Sequence, residues 1–570
     1  MTLEKSLAQD VAPGDGERRR EEVEDGVYDD DRDPRSITRQ YTESSSRNGQ
    51  LAAPLKLERS RSSARSQRSY HLQDGYTIDA DDDDDDHKEM RKQKEVDGSP
   101  DSEKDFEVQF DGEDDPYNPK NRANWRKWVI VCIVSSSSLC VTCASAMYTS
   151  TYRQLETEFH VSRLAATVGL TTFVCGLGLG PMFLSPLSEF YGRRIIYICA
   201  FGMYLVWLVP CAVAPNIATM LIARFFDGLA GSAFLSVAGG TVGDMFRRDQ
   251  LSAPMMIYTA SPFVGPEVGP VVGGFINQYT DWRWTFYVLI IWAGIQWLMI
   301  VLFVPETYAP VLLRRKAEKL RQDTGDQRYK APIEIMDRSV VQTVLWSCIR
   351  PFQLLFFEQM CLNLCLLSAI LLGILYLFFG AFAVVFQNNH GFNEWQTGLT
   401  FLGIFVGMLL GVSCDPLWRR RYIRLVEQNN GISEPEFRLP PTILGAIIVP
   451  ISLFGFGWTT YSHVHWIVPI IFSVFFGLGN IFCFSGIFTF LVETYPLYAA
   501  SALAANSFAR SSFAAGFPLF GVQMYEKLGY QWASSVLALI ALAMTPFPVL
   551  FFKKGKKLRA NSRFANPKQA

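Results

Sequence analysis

Residues 265–274 read Gly265-Pro266-Glu267-Val268-Gly269-Pro270-Val271-Val272-Gly273-Gly274, inside an apolar run over 253–276. A run of that length crosses a bilayer as a helix. Gly265, Gly269 and Gly273 recur every four residues, so they form one smooth column that permits a close helix–helix contact. Pro266 and Pro270 weaken or kink the helix between those glycines. The pattern suits a hinge or a tight seam between two halves of a bundle. Glu267 falls about 160° round from the glycine column, at ~100° per residue, and faces elsewhere. A carboxylate at membrane depth is costly, so it is a functional candidate by default.

Working outward, the same reading finds twelve apolar runs: 128–149, 165–187, 195–214, 217–239, 253–276, 285–304, 357–379, 396–414, 441–458, 466–489, 500–522 and 533–552. They are numbered here as spans 1 to 12. The fold class expected is an all-α polytopic membrane protein. Its parts are a disordered N-terminal tail 1–124, a six-helix half 125–304, a central loop 305–356, a second half 357–552 and a basic tail 553–570. Charged residues make up only 19% of the 570 positions, against a soluble norm near ~25%. That excludes a soluble multidomain chain. A net charge of −2 supplies no global field for nucleic acid.

The cysteines lie in the apolar runs or at their edges, so no disulfide framework is expected. Cys140 and Cys143 form a CxxC without a second pair, so no metal site is expected. No GxSxG or metal-spaced cluster points to an enzyme. Without a GxxxxGK loop followed by Ser or Thr, no ATP or other cofactor is expected. The start, Met1 to Lys5, has no apolar stretch, so span 1 is expected to direct insertion. The tail carries the run Asp81 to Asp86 and an Arg/Ser segment over 59–66, which suits a basophilic kinase as a partner.

Lys and Arg are placed lopsidedly. With the N-terminus inside, inside loops hold Arg193, Arg194, Arg247, Arg248, Arg314, Arg315, Lys316, Arg419, Arg420 and Lys553. Outside loops hold Arg153, Arg163, Arg283 and Lys527. This bias places both termini in the cytosol. The halves also repeat: Gly228 with Gly477, and Asp244 with Glu493, share an offset of 249, while Trp282 with Trp532 gives 250. Duplicated halves of parallel topology place a substrate site near the midplane between them.

Three clusters carry chemistry. After span 2 the loop reads Pro186-Leu187-Ser188-Glu189-Phe190-Tyr191-Gly192-Arg193-Arg194, an acid, a turn glycine and two cations. Span 8 ends in a weaker copy with Gly411, Asp415, Arg419 and Arg420. Charge pairs at such a place can form in one state and break in another, a gate. Span 4 holds Arg224 and Asp227, three residues apart and able to pair on one face. Counting at ~1.5 Å per residue puts Glu267 and Arg224 at a shared depth, so a contact between them is possible.

Together these motifs resemble the major facilitator superfamily over about 115–555. The loop is similar to its motif A, with Ser185 in place of the first glycine and Glu189 in place of the usual Asp. Arg224 and Gly228 match the R-x-x-x-G core of motif B. Span 5 matches the antiporter motif G-P-x-x-G-P-x-x-G-G. The stretches over 305–317 and 115–121 look like the twelve-span fungal drug:proton antiporter branch. The resemblance implies proton-driven export of amphipathic toxicants, antifungals or secondary metabolites across the plasma membrane by a monomer, with no ATP.

By the family's pattern, Glu189, Arg193 and Asp244 form a cytosolic charge latch and Arg224 takes part in proton coupling. Span 1 lacks an acid, which leaves Asp227 and Glu267 as proton sites in the first half. By family analogy the cavity is lined from spans 1, 4, 7 and 10, with Tyr148, Tyr376, Asn480 and Phe484 as liners. Asn506 and Arg510 on span 11 are further polar candidates. A nutrient or polyamine transporter on the same fold, and a non-transporting sensor, are the rival readings.

Overall fold

The computed structural model describes residues 106–111, 115–247, 250–335, 340–560, 562, 564 and 565. The acidic run, the Arg/Ser segment and Arg248 lie outside these residues.

Each expected span is helical. Spans 1 to 6 are Asn124–Met147, Arg163–Tyr191, Arg193–Ala212, Ile217–Gly231 continued by Ala233–Met245, Ser252–Tyr279 and Arg283–Phe303. Spans 7 to 12 are Gln359–His390, Glu394–Thr400 continued by Leu402–Ser413, Pro440–Trp458, Ile467–Thr494, Ala499–Leu528 and Tyr530–Met544 continued by Pro546–Ala560. Ten of these are long and apolar enough to cross a membrane. The other two are spans 5 and 11, rich in Gly, Pro, Ser and Ala, which lie along spans 1 and 7 respectively. Small residues suit that position, because helices in lipid gain little from apolar bulk and much from close approach.

The two halves repeat one contact closely. A Cβ on Gly176 of span 2 would lie 2.3 Å from the Phe225 carbonyl of span 4, and one on Gly228 would lie 2.0 Å from that of Phe173. In the second half, a Cβ added at Gly407 of span 8 would run into the Val474 carbonyl, and one at Gly477 would run into that of Ile404. Phe225 and Val474 stand at the 249-residue offset again. The halves meet along spans 2 and 11 and along spans 5 and 8.

The glycine column of span 5 corrects an expectation. It does not lie between the halves. A Cβ at Gly265 would meet Thr142 at 1.9 Å and one at Gly269 would meet Ala146 at 2.5 Å, both on span 1 of the same half. At Gly273 the nearest atoms belong to Ser150 and Met147. The next residues along do reach across: a Cβ added at Gly274 would come within 2.8 Å of the Glu394 carbonyl, and one added at Gly398 would run into the Pro270 carbonyl.

The central segment differs from a loop. It contains helices Ala309–Thr324, Pro332–Ile335 and Val340–Phe357. Val340–Phe357 packs on spans 2, 7 and 11. The first of the three helices turns Ala317 inward to meet Val108 and Ala331. Residues near Val108 are therefore docked rather than part of a solvated tail reaching 124. Val108 N donates to Lys330 O at 3.0 Å, and Lys330 N donates to Phe106 O at 3.0 Å. Lys316 Nζ reaches Asp111 and Asp115 at 2.7 Å each.

Burial alone would raise the Asp115 carboxyl. The Lys316 ammonium and the backbone N–H groups of Asp111 and Tyr117 outweigh that and hold it below its ordinary value. A depressed carboxylate contributes above its unfolded value of about 3.9 and loses that contribution as pH falls through the folded value. Protection of the Val108 amide against hydrogen exchange is thus expected to stay level from about pH 5 to 8 and to fall below about pH 4. Lys316→Ala should reproduce the loss at neutral pH.

Candidate functional site: a central cavity with a charged mouth

A cavity of about 2820 Å³ lies between the halves. It opens on the face that carries the Lys/Arg-rich loops, where Glu189, Arg193, Asp244, Asp415, Arg419, Arg438 and Glu493 line the mouth. At depth its walls include Phe263, Pro266, Tyr376, Phe488, Asn506 and Arg510. The opposite end is sealed by the contact of spans 5 and 8. There Glu394 N donates to Gln278 Oε1 at 3.1 Å, Arg153 pairs with Glu394 at 3.4 Å, and Phe275 stacks on Trp395 at 5.5 Å.

Of the expected liners, Tyr376, Asn506 and Arg510 face the cavity. The other three do not. Tyr148 is buried under Arg224 and donates to Ala166 O at 2.9 Å. Asn480 is fully buried away from the cavity wall, its amide atoms without partners among the described residues. Phe484 stacks behind Phe263 at 4.7 Å. Sequence placed these residues on the right spans but not on the right face.

Arg224 is fully buried. Its Nη1 lies 3.4 Å from Asp227 Oδ2, and its Nη2 donates to Ala144 O at 3.2 Å, tying span 4 to span 1. Its guanidinium sits over the rings of Phe173 at 4.1 Å and Tyr148 at 4.6 Å. Glu267 does not complete this pair. Both its carboxylate oxygens are buried and lack a partner among the described residues. Its carboxylate lies within electrostatic reach of Tyr376 and Cys143. Tyr376 in turn shares a 3.1 Å hydrogen bond with Ser145 of span 1.

The mouth of the first half brings Arg193 together with Asp244 at 3.4 Å, and with Ser188 Oγ, to which its Nη1 donates. Glu189 lies within electrostatic reach of Arg193. Arg194 turns away and donates to Val301 O at 3.1 Å. Gly192 has φ +94°, a conformation that other residues rarely adopt. A Cβ there would also stand 2.3 Å from a carboxylate oxygen of Glu306.

Glu306 was not among the expected gate residues. Its carboxylate accepts from the backbone N–H of Arg193 at 2.9 Å, Arg194 at 3.2 Å, and Thr307 and Tyr308 at 3.0 Å. It is the anion at the N-terminus of span 3, where the helix dipole favours one. Its place in the stretch over 305–317 was visible, but its partners at the start of span 3, Arg193 and Arg194, lie more than a hundred residues away. Glu306→Gln puts an NH2 where an oxygen accepted, stranding backbone donors. The expected cost is at least about 1.5–3 kcal/mol, the worth of one hydrogen bond to a charged group. A lowered melting temperature of the purified protein checks this.

In the second half, Asp415 and Arg419 line the mouth but form no ion pair with each other among the described residues. The counterpart of Arg193–Asp244 is instead Arg438–Glu493 at 2.7 Å. The offset linking Asp244 to Glu493 pointed to it. Here too an acid fixes the adjoining segment: Glu436 takes both hydrogen bonds from Arg559 at 2.8 Å.

The model of the family described as Major Facilitator Superfamily matches residues 134–518. The chain is 56% identical over 476 residues to "Efflux pump atB" of Aspergillus terreus, covering 82% of this chain and 92% of that protein. It is 42% identical over 442 residues to "Probable drug/proton antiporter YHK8" of Saccharomyces cerevisiae, covering 77% and 86%. Among solved structures it resembles a partially occluded inward-open conformation of the xylose transporter XylE from E. coli. The TM-score is 0.52 and the identity 17%, with 75% of this chain and 99% of that one covered.

Proposed function

The chain belongs to the major facilitator superfamily, among fungal efflux pumps and drug:proton antiporters, and from that premise we propose that it exports amphipathic small molecules in exchange for protons. It is a transporter, not an enzyme. The cavity at the midplane takes the compound, and the sealed and open ends exchange as the halves rock. In this reading the basic face is cytosolic, both termini lie inside, and the membrane is the plasma membrane. The pump works as a monomer on the proton gradient without ATP, with the N-terminal tail open to a kinase.

One observation carries the coupling. Glu267 lacks a counter-charge and sits near Tyr376, a cavity liner, whereas Asp227 already has Arg224. Taking up or releasing a proton at Glu267 changes the local charge by a full unit with nothing to offset it. Glu267 is therefore the proton carrier in this proposal, and the Arg224–Asp227 pair holds spans 1 and 4 around it. Dye efflux should be measured in yeast lacking its own pumps, with and without a protonophore. Glu267→Gln is expected to leave only the slow efflux seen with protonophore. Gradient-dependent efflux at the wild-type rate in that variant would remove Glu267 from the coupling step. A solute gradient that drives uptake instead would favour the importer reading.

A further inference from the structure

We propose that the deep end of the cavity recognises a carboxylate, and that the compounds exported are aromatic or otherwise planar organic anions. The inference rests on the export reading, whose substrate class it narrows. Arg510 on span 11 carries it. The buried arginines at the cavity and beside it each have an acid: Arg193 has Asp244 and Arg224 has Asp227, whereas Arg510 is half-buried at the cavity wall. Arg510 has no ion pair and no hydrogen bond among the described residues, and its Nε is buried without a partner. A cation kept deep in a bundle without a counter-charge is costly, and such residues mark substrate pathways.

The surroundings fit an anion with a flat apolar body. The guanidinium carbon of Arg510 lies 4.9 Å from the Phe488 ring centre and 5.6 Å from that of Phe263. Both rings belong to the cavity wall. One turn earlier on the same helix, Asn506 also lines the cavity. It is only 1% exposed, and neither its Oδ1 nor its Nδ2 has a partner among the described residues.

A guanidinium presents a planar fork matched to two carboxylate oxygens, and the Asn506 amide adds a donor beside it. The aromatic rings accept a flat ring system in offset or edge contact. Among the described residues the acids that line the cavity, Glu189, Asp244, Asp415 and Glu493, lie at its mouth, and none lines the deep wall to meet a cationic compound.

The test compares 1-pyrenebutyrate with its uncharged primary amide, two probes of one shape. Binding to the purified full chain is read by pyrene fluorescence at pH 7.5. Efflux is read in proteoliposomes under an imposed pH gradient. The acid is expected to bind about tenfold tighter than the amide. Arg510→Gln should bring the acid-to-amide ratio close to one, and Arg510→Lys should restore part of it. Equal binding of acid and amide by wild type overturns the proposal without any variant, so a poorly folding Arg510→Gln does not blunt the test. A ratio unchanged in a folded Arg510→Gln overturns the role of Arg510. Selective acid binding with no gradient-driven efflux of either probe keeps the anion site and overturns the export reading. Efflux of both probes at one rate with equal binding does the reverse.

Discussion

Arg224→Ala should reduce efflux to background and sharply lower the amount of folded protein. Arg224 is held by an acid, a backbone carbonyl and two aromatic faces, with no exposed surface. Removing it strands Asp227, whose Oδ1 already lacks a partner among the described residues. Breaking one side of a buried ion pair costs about 3–5 kcal/mol, a large part of a domain's total stability. Arg224→Lys should fail nearly as badly, because an ammonium cannot reach Asp227 and Ala144 O while stacking between two rings. Adding Asp227→Asn to Arg224→Ala removes the stranded charge. The double variant should regain folded protein, read by size-exclusion chromatography, but not efflux. Recovery of efflux as well would make the pair dispensable for transport.

A second large effect is expected at the seal between spans 5 and 8. Gly398→Leu puts a branched side chain where even a Cβ would come within 2.3 Å of the Pro270 carbonyl. Backbone cannot rotate out of the way as a side chain can, so the two spans must separate. Overpacking of this kind costs about 1–3 kcal/mol, and if it falls on the sealed state alone it shifts the conformational balance about 5- to 150-fold. A cysteine at position 506 should then become labelled by an impermeant maleimide added outside, and efflux should drop. Gly516→Ala is the control, since nothing lies within 4 Å of its added Cβ. Outside labelling of Gly398→Leu no faster than that of the parent would mean that these spans do not form the barrier.

The spans and the basic face were legible because both signals are long-range averages: apolar runs set the helices and Lys/Arg placement sets the sides. The Arg193–Asp244 latch was legible through the resemblance to the family's motif pattern, which sets an arginine of the loop after span 2 against an acid at the end of span 4. Azimuth was not legible. Tyr148, Asn480 and Phe484 sit on helices that are apolar all round, because lipid and protein interior reward the same side chains. For the same reason a shared depth did not make Glu267 a neighbour of Arg224; depth can be counted along a chain, but the facing partner depends on packing. The first helix of the central segment, Ala309–Thr324, was hidden by polar composition, because only a few positions such as Val311, Leu312 and Ala317 turn inward.

Arg510 and Glu267 both lie within electrostatic reach of the Tyr376 phenol, yet they form no ion pair among the described residues. On the proposed reading this separation has an electrical meaning. One proton entering and one anion leaving move two elementary charges in the same electrical direction per cycle, at ~2.3 kcal/mol per charge per 100 mV. The pump is then electrogenic. Membrane voltage alone sustains export when the pH is equal on both sides, and an uncharged compound draws half the current of an anionic one.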